Sequence, residues 1–206
     1  MIIMKLNKKG KWLVILLFLI VPVLFIFNSL ETQSPKKVTM PTKLNDLVEV
    51  KSKLLVNEAA RKGIRVVITD DFRSAKDQDA LYAQGRSTDG NVVTNARGGE
   101  SYHNYGLAID FALAAPGGQQ LIWDMDYDGN GNSKSDWKEV VEIAKNLGFE
   151  WGGDWAKFKD YPHLQMSFGL TINDLQNGVL PSKNGVPANL AMKDKIYKFF
   201  KEISNI

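Results

Sequence analysis

Cysteine is absent from the 206-residue chain, which excludes a disulfide framework, a thiolate zinc site, a thiol nucleophile and a lipidated cysteine. Histidine is nearly as scarce, with His103 and His163 the only two. No Gly-x-Ser-x-Gly elbow occurs, so a serine-hydrolase arrangement lacks its usual turn. No internal repeat is present, which sets solenoids aside. An excess of one charge is missing too. Four of the 26 Lys and Arg residues (Lys5, Lys8, Lys9 and Lys11) precede Glu31, and the 22 that remain face 23 acidic residues. The net charge of +3 therefore belongs to the N-terminus, and no nucleic acid partner is expected.

What is present begins with an uncharged, mostly apolar run from Trp12 to Leu30, directly after the four lysines. A positive flank followed by an apolar segment reads as a signal sequence or membrane anchor over residues 1–30. Its length approaches the roughly 20 residues needed to span a bilayer, and small residues suited to cleavage are poorly placed. The expectation is an uncleaved anchor with the domain outside the cytoplasmic membrane, or secretion to the cell wall if the segment is removed. Residues 31–43 read as a linker, 44–182 as one catalytic-size domain and 183–206 as a helical extension.

Within the domain, Leu44, Leu47, Val48, Leu54, Leu55 and Ala59 fall largely at helical spacing, and Gly63 ends that helix. Ile64 to Thr69 predicts a strand, 75–84 a helix stopped by Gly85, and Ala108 to Leu113 a second strand. Asp136 with Glu139 suggests a capping box opening a helix that ends at Gly148. A third strand is expected at 163–167, and a basic amphipathic helix at 188–204. Helices and strands mix without a βαβ rhythm, so the class is α+β.

Both histidines lie near carboxylates. One segment runs Ser101-Tyr102-His103-Asn104-Tyr105-Gly106-Leu107-Ala108-Ile109-Asp110, and the other Asp160-Tyr161-Pro162-His163-Leu164-Gln165. Two imidazoles and one carboxylate suit zinc and leave a fourth position for water. Gly106 permits the backbone to turn between a loop histidine and a strand aspartate. Asp160, across a proline turn from His163, can stay off a metal and act as a base. On spacing alone, ordinary half-buried or surface residues are the commoner reading of two such histidines.

Ser-x-His-x-x-Gly-x-Ala-x-Asp, from Ser101 to Asp110, resembles the zinc signature of the D-Ala-D-Ala carboxypeptidase and L-alanyl-D-glutamate endopeptidase superfamily. Asp71-Phe72-Arg73-Ser74, Leu81 to Arg86 and Gly148 to Trp155 resemble further blocks of the endopeptidase branch, in order, over roughly residues 64–180. The resemblance implies a small central antiparallel sheet flanked by helices, as in these peptidases and the hedgehog signalling domain. It implies one catalytic zinc on His103, Asp110 and His163, with Asp160 as general base and Arg73 stabilising the polarised carbonyl. Ser101 and Gln78 are implied as substrate contacts, with plain loop or helix hydrogen bonding as the alternative for each. The implied partner is the peptide stem of peptidoglycan, cut most readily between L-alanine and D-glutamate, by a monomer. The rivals are a D,D-carboxypeptidase and a zinc-containing wall-binding module without turnover.

Two features stand apart. Asp124, Asp126 and Asp128 resemble the first half of a calcium loop, but Ser135 stands where the twelfth-position glutamate belongs. Calcium is thus the weaker reading beside an acidic Gly/Asn turn. Of Trp123, Trp137, Trp151 and Trp155, only Trp155 is expected to contact substrate; the others read as packing residues.

Overall fold

A computed structural model of the chain describes residues 40–181. The N-terminal apolar run, most of the linker and the basic terminal helix lie outside the described residues. Among the described residues no helix is long and apolar enough to cross a membrane.

Helix α1, Asp46–Arg61, buries Val48, Ser52, Leu55 and Ala59, a stripe whose spacing keeps one face toward the core. Leu54, expected to face inward, is exposed. Ser52 takes a buried place instead, at little cost because its hydroxyl donates to the Glu49 carbonyl at 2.8 Å. Strand β1 spans Val66–Asp70, and helix α2, Ala75–Ala83, is capped by Ser74, whose side chain accepts from the Asp77 N–H. A 3-10 turn over Tyr102–Tyr105 leads into the central strand β2, Ala108–Ala114. Short strand β3, Leu121–Ile122, precedes helix α3, Asp136–Asn146. Strand β4, Glu150–Trp151, a 3-10 turn at Gly152–Asp154, strand β5, His163–Gln165, and helix α4, Ile172–Gln176, complete the order. This is the α+β class expected, with each paired strand antiparallel to its neighbour.

The sheet runs β1-β2-β5-β4, with β3 beside the end of β2. Alternation along β2 gives it two distinct faces. Leu107, Ile109, Phe111 and Leu113 are all but inaccessible and join α1 and α3 in the core, where the Phe111 and Trp137 rings lie 4.7 Å apart. Each such side chain contributes about 1.5–3 kcal/mol by leaving water. Ala108, Asp110, Ala112 and Ala114 occupy the other face, small residues around a single carboxylate.

The helical cap at α3 differs from expectation. Ser135, not Asp136, is the N-cap; its hydroxyl accepts from the Lys138 N–H at 3.1 Å and donates to the Met125 carbonyl at 2.6 Å. Asp136 sits one residue inside, buried, accepting from the Gly129 N–H at 2.9 Å. Glu139 points at Lys62, Asn130 and Asn132 rather than back at the cap. The shift follows from geometry: the residue before the first helical one has the extended backbone a cap needs.

At Gly152 the backbone passes so near the loop before β5 that an added Cβ would stand 2.4 Å from the Asp160 carbonyl oxygen and 3.1 Å from the His163 Cβ. The glycine lets β4 and its turn lie directly under that loop. Replacing Ser135 by Ala should lower stability by about 1–2 kcal/mol in urea titration with unchanged slope; no loss would return the cap to Asp136. Gly152→Ala should cost about 1–3 kcal/mol by overpacking, and an unaltered unfolding midpoint would mean the loop yields freely.

Candidate active site

Register builds the site. Asp110 on β2 pairs directly with His163 on β5, and Asp70 on β1 pairs with Asp110 on its other side. Directly opposed residues share a face, so the three side chains form a transverse row. Asp70 joins it because the β1–β2 register shifts between Ile68 and Asp70. Without that irregularity Asp70 would follow Ile68 toward the core.

His103 enters from the 3-10 turn, an element absent from the sequence reading. Ser101 caps it, accepting from the His103 N–H at 3.3 Å, while the Asn104 amide oxygen accepts from Ser101 N–H at 3.3 Å and Gly99 N–H at 2.9 Å. Gly106 closes the turn at φ 66°, and a Cβ there would approach the Lys43 carbonyl to 2.4 Å. The turn is then stitched to the end of β1. Arg73 N–H donates to the His103 carbonyl at 3.2 Å, and the Asn104 side chain donates to the Arg73 carbonyl at 2.9 Å.

Among the described residues, one group of three His, Asp or Glu side chains converges tightly enough to hold a metal: His103, Asp110 and His163. His103 Nε2 lies 3.2 Å from His163 Nδ1, and each nitrogen lies 3.3 Å from Asp110 Oδ1. A tetrahedral zinc with ligands at about 2.0–2.1 Å needs them about 3.3–3.4 Å apart. The protons agree. His103 Nδ1 lies 2.6 Å from the Asp71 carbonyl, an acceptor only, so that nitrogen carries the hydrogen and Nε2 presents a lone pair. Asp110 Oδ1 is buried and no hydrogen bond ends on it. Burial works against charge here, yet Asp110 lifts the His103 pKa above its usual value, and the two imidazoles hold the Asp110 carboxyl far below the carboxylate range. Lone pairs and an orphaned carboxylate oxygen at these distances suit a divalent cation.

Around the trio lies a cleft of about 600 Å³, lined in part by Arg73, Ser101, Asp110, Trp155, Asp160 and His163. The Trp155 ring is 5.1 Å from that of His163. Burial lifts the Asp160 carboxyl above its ordinary pKa, opposed by His163 and reinforced by Asp110. The Arg73 guanidinium pairs with Asp70, donates to the Gln78 side-chain oxygen at 2.8 Å and lies 3.9 Å from Asp110 Oδ2.

Gln78 corrects an expectation. It is fully buried and does not line the cleft; its amide donates to Thr94 Oγ1 at 3.3 Å and the Ala96 carbonyl at 2.9 Å while its oxygen holds Arg73. Ser101 does line the cleft, but its hydroxyl serves the turn. Trp137 is core, and Trp151 donates to the Tyr161 carbonyl at 2.7 Å. The acidic turn is used internally. Asp124 accepts from Asp126 N–H at 2.9 Å, Asp126 pairs with Lys138 at 3.2 Å, and Asp128 accepts from the N–H groups of Gly131, Asn132 and Ser133 at 2.8, 3.1 and 2.9 Å. Among the described residues these three carboxylates do not form a group that converges as His103, Asp110 and His163 do. Sequence reasoning missed Asp70, Asn104, Glu150 and Gln165. For Asn104, three residues after Ser101, the capping-box spacing was the available signal.

A family model described as D-alanyl-D-alanine carboxypeptidase matches residues 94–166. The peptidoglycan L-alanyl-D-glutamate endopeptidase CwlK of Bacillus subtilis is 66% identical over 127 residues, spanning 62% of this chain and 75% of that protein. The L-alanyl-D-glutamate peptidase of Listeria phage A118 is 33% identical over 147 residues, 71% of this chain but only 46% of the phage protein. Among solved structures, the Serratia marcescens L-Ala D-Glu endopeptidase ChiX is similar at 22% identity and a TM-score of 0.35, over 61% of this chain and 90% of that one. The likeness to CwlK extends across three quarters of that protein, and the family model's match spans His103, Asp110 and His163. The chain is a member of the peptidase superfamily of D-Ala-D-Ala carboxypeptidases and L-alanyl-D-glutamate endopeptidases.

Proposed function

We propose that this chain is a zinc-dependent peptidoglycan hydrolase that cuts the stem peptide between L-alanine and D-glutamate. The observation that carries the reading is the triangle of His103 Nε2, Asp110 Oδ1 and His163 Nδ1, with Asp160 and Arg73 on the same cleft. The names of the two relatives favour the endopeptidase bond over a terminal D-alanine.

His103, Asp110 and His163 would hold the zinc, which when bound would supply Lewis-acid chemistry for the scissile carbonyl and the attacking water. Asp160 removes the proton from that water and returns it to the leaving amine; its raised pKa makes it a better acceptor than an ordinary aspartate. Arg73 donates to the carbonyl oxygen as negative charge grows there, with a fork that Gln78 and Asp70 hold in place. Trp155 offers an aromatic wall beside His163. The uncharged, apolar run of Trp12 to Leu30 after four lysines is the feature that supports a domain working outside the cytoplasmic membrane, tethered by that segment or released to the wall.

Defined muropeptides incubated with the zinc-loaded protein should release a stem peptide beginning with D-glutamate, read by mass spectrometry, and a chelator should stop the release. Loss of a single D-alanine would instead assign a carboxypeptidase, and intact stems with zinc bound would assign a binding module. Asp160→Asn should keep zinc in metal analysis while the cleavage rate falls by about 10²- to 10⁴-fold; a rate near the parent's would remove Asp160 from the base role.

A further inference from the structure

His163 is held on the side away from the cluster by a chain of two further groups. Its Nε2 lies 3.0 Å from the Gln165 side-chain oxygen, and the Gln165 amide donates to Glu150 Oε2 at 2.9 Å. The strand register makes this chain. His163 and Gln165 are two apart on β5 and share a face, and Glu150 on β4 is the direct partner of Gln165. His163 and Gln165 are buried, whereas Glu150 is exposed and also accepts from the Ser167 hydroxyl.

The direction of each hydrogen bond follows from donor chemistry. A carboxylate only accepts, so the Gln165 NH₂ must face Glu150, and its oxygen must therefore face His163. An amide oxygen also only accepts, so His163 Nε2 carries the hydrogen. Nδ1, 3.3 Å from Asp110 Oδ1, is then the lone-pair nitrogen. We infer that Gln165 and Glu150 are positioning residues, a relay that fixes His163 as the Nε2–H tautomer and so presents Nδ1 to the metal. His103 obtains the same result from a backbone carbonyl, which no substitution at Asp71 removes. The relay on His163 is built wholly of side chains and is the part of the centre that sequence change can alter.

This inference rests on the reading of His103, Asp110 and His163 as metal ligands, and the test separates the two. In full-length protein stripped of metal and labelled with ¹⁵N-histidine, there are only two imidazoles to assign. The parent should show His163 with a protonated Nε2 and a bare Nδ1. Gln165→Leu should give a mixture of both tautomers at His163, leave His103 unchanged, and weaken zinc about 10- to 100-fold in competition with a chromophoric chelator. Gln165→Glu retains an acceptor and should retain the tautomer. Should the leucine variant fold poorly, Glu150→Gln, at an exposed position, provides the second arm. It frees the Gln165 amide to turn over and should produce the same mixing to a smaller extent. A parent that binds no zinc would overturn the ligand reading itself. A parent that binds zinc, with variants unchanged in tautomer and within about twofold in affinity, would overturn the relay alone.

Discussion

The pairing of β2 with β5 sets Asp110 opposite His163, and this register fixes the face on which the site lies. The apolar pattern enforces it. Ile109 and Phe111 flank Asp110 and, with Leu164 beside His163, are completely buried on the opposite face. A slip of one residue would carry these three to the cleft and drive a carboxylate and an imidazole into the core. The core therefore specifies the centre without touching it. The alanines on the cleft side of β2 leave space above the carboxylate, where larger residues would fill it.

Charge on that face is balanced locally. Asp70 and Asp110 are direct partners across β1 and β2, an arrangement that like charges oppose. The Arg73 guanidinium answers both, pairing with Asp70 and approaching Asp110. Another of its donors goes to Gln78, whose amide is anchored to the loop at Thr94 and Ala96. A lysine could supply the charge but not the planar fork that reaches a carboxylate and an amide together. The same arginine thus balances the sheet edge and lines the cleft.

Much of this was legible in the sequence where one residue type leaves few options. With only two histidines, each near an aspartate, the candidate cluster was short and the strands at Ala108 and His163 were periodic enough to find. Gly106 was identified correctly as the turn before β2. The two-residue strands β3 and β4 carry too little periodicity to be found alone, and β4 exists because β5 offers it a partner. The Asp70 position depends on a register irregularity, which no side-chain pattern announces. Gln78 illustrates a different limit. The resemblance implied a substrate contact or a plain helix hydrogen bond, and only packing reveals that it faces the arginine and not the cleft.

The 3-10 turn and the segment after β1 are tied into one unit by hydrogen bonds. The Asp71 carbonyl orients the His103 ring, the Arg73 N–H holds the His103 carbonyl, and Asn104 holds the Arg73 carbonyl. Any displacement of this strand end moves His103 Nε2 and the guanidinium together. Positioning of both groups through three hydrogen bonds keeps their separation fixed without a larger scaffold, which a domain of this size does not have to spare. His163 and Asp160 form a second unit on the opposite side, seated on Gly152, where the missing side chain permits the loop to approach. The central strand with Asp110 lies between the two units, so the geometry of the cleft reduces to how each is docked on β2.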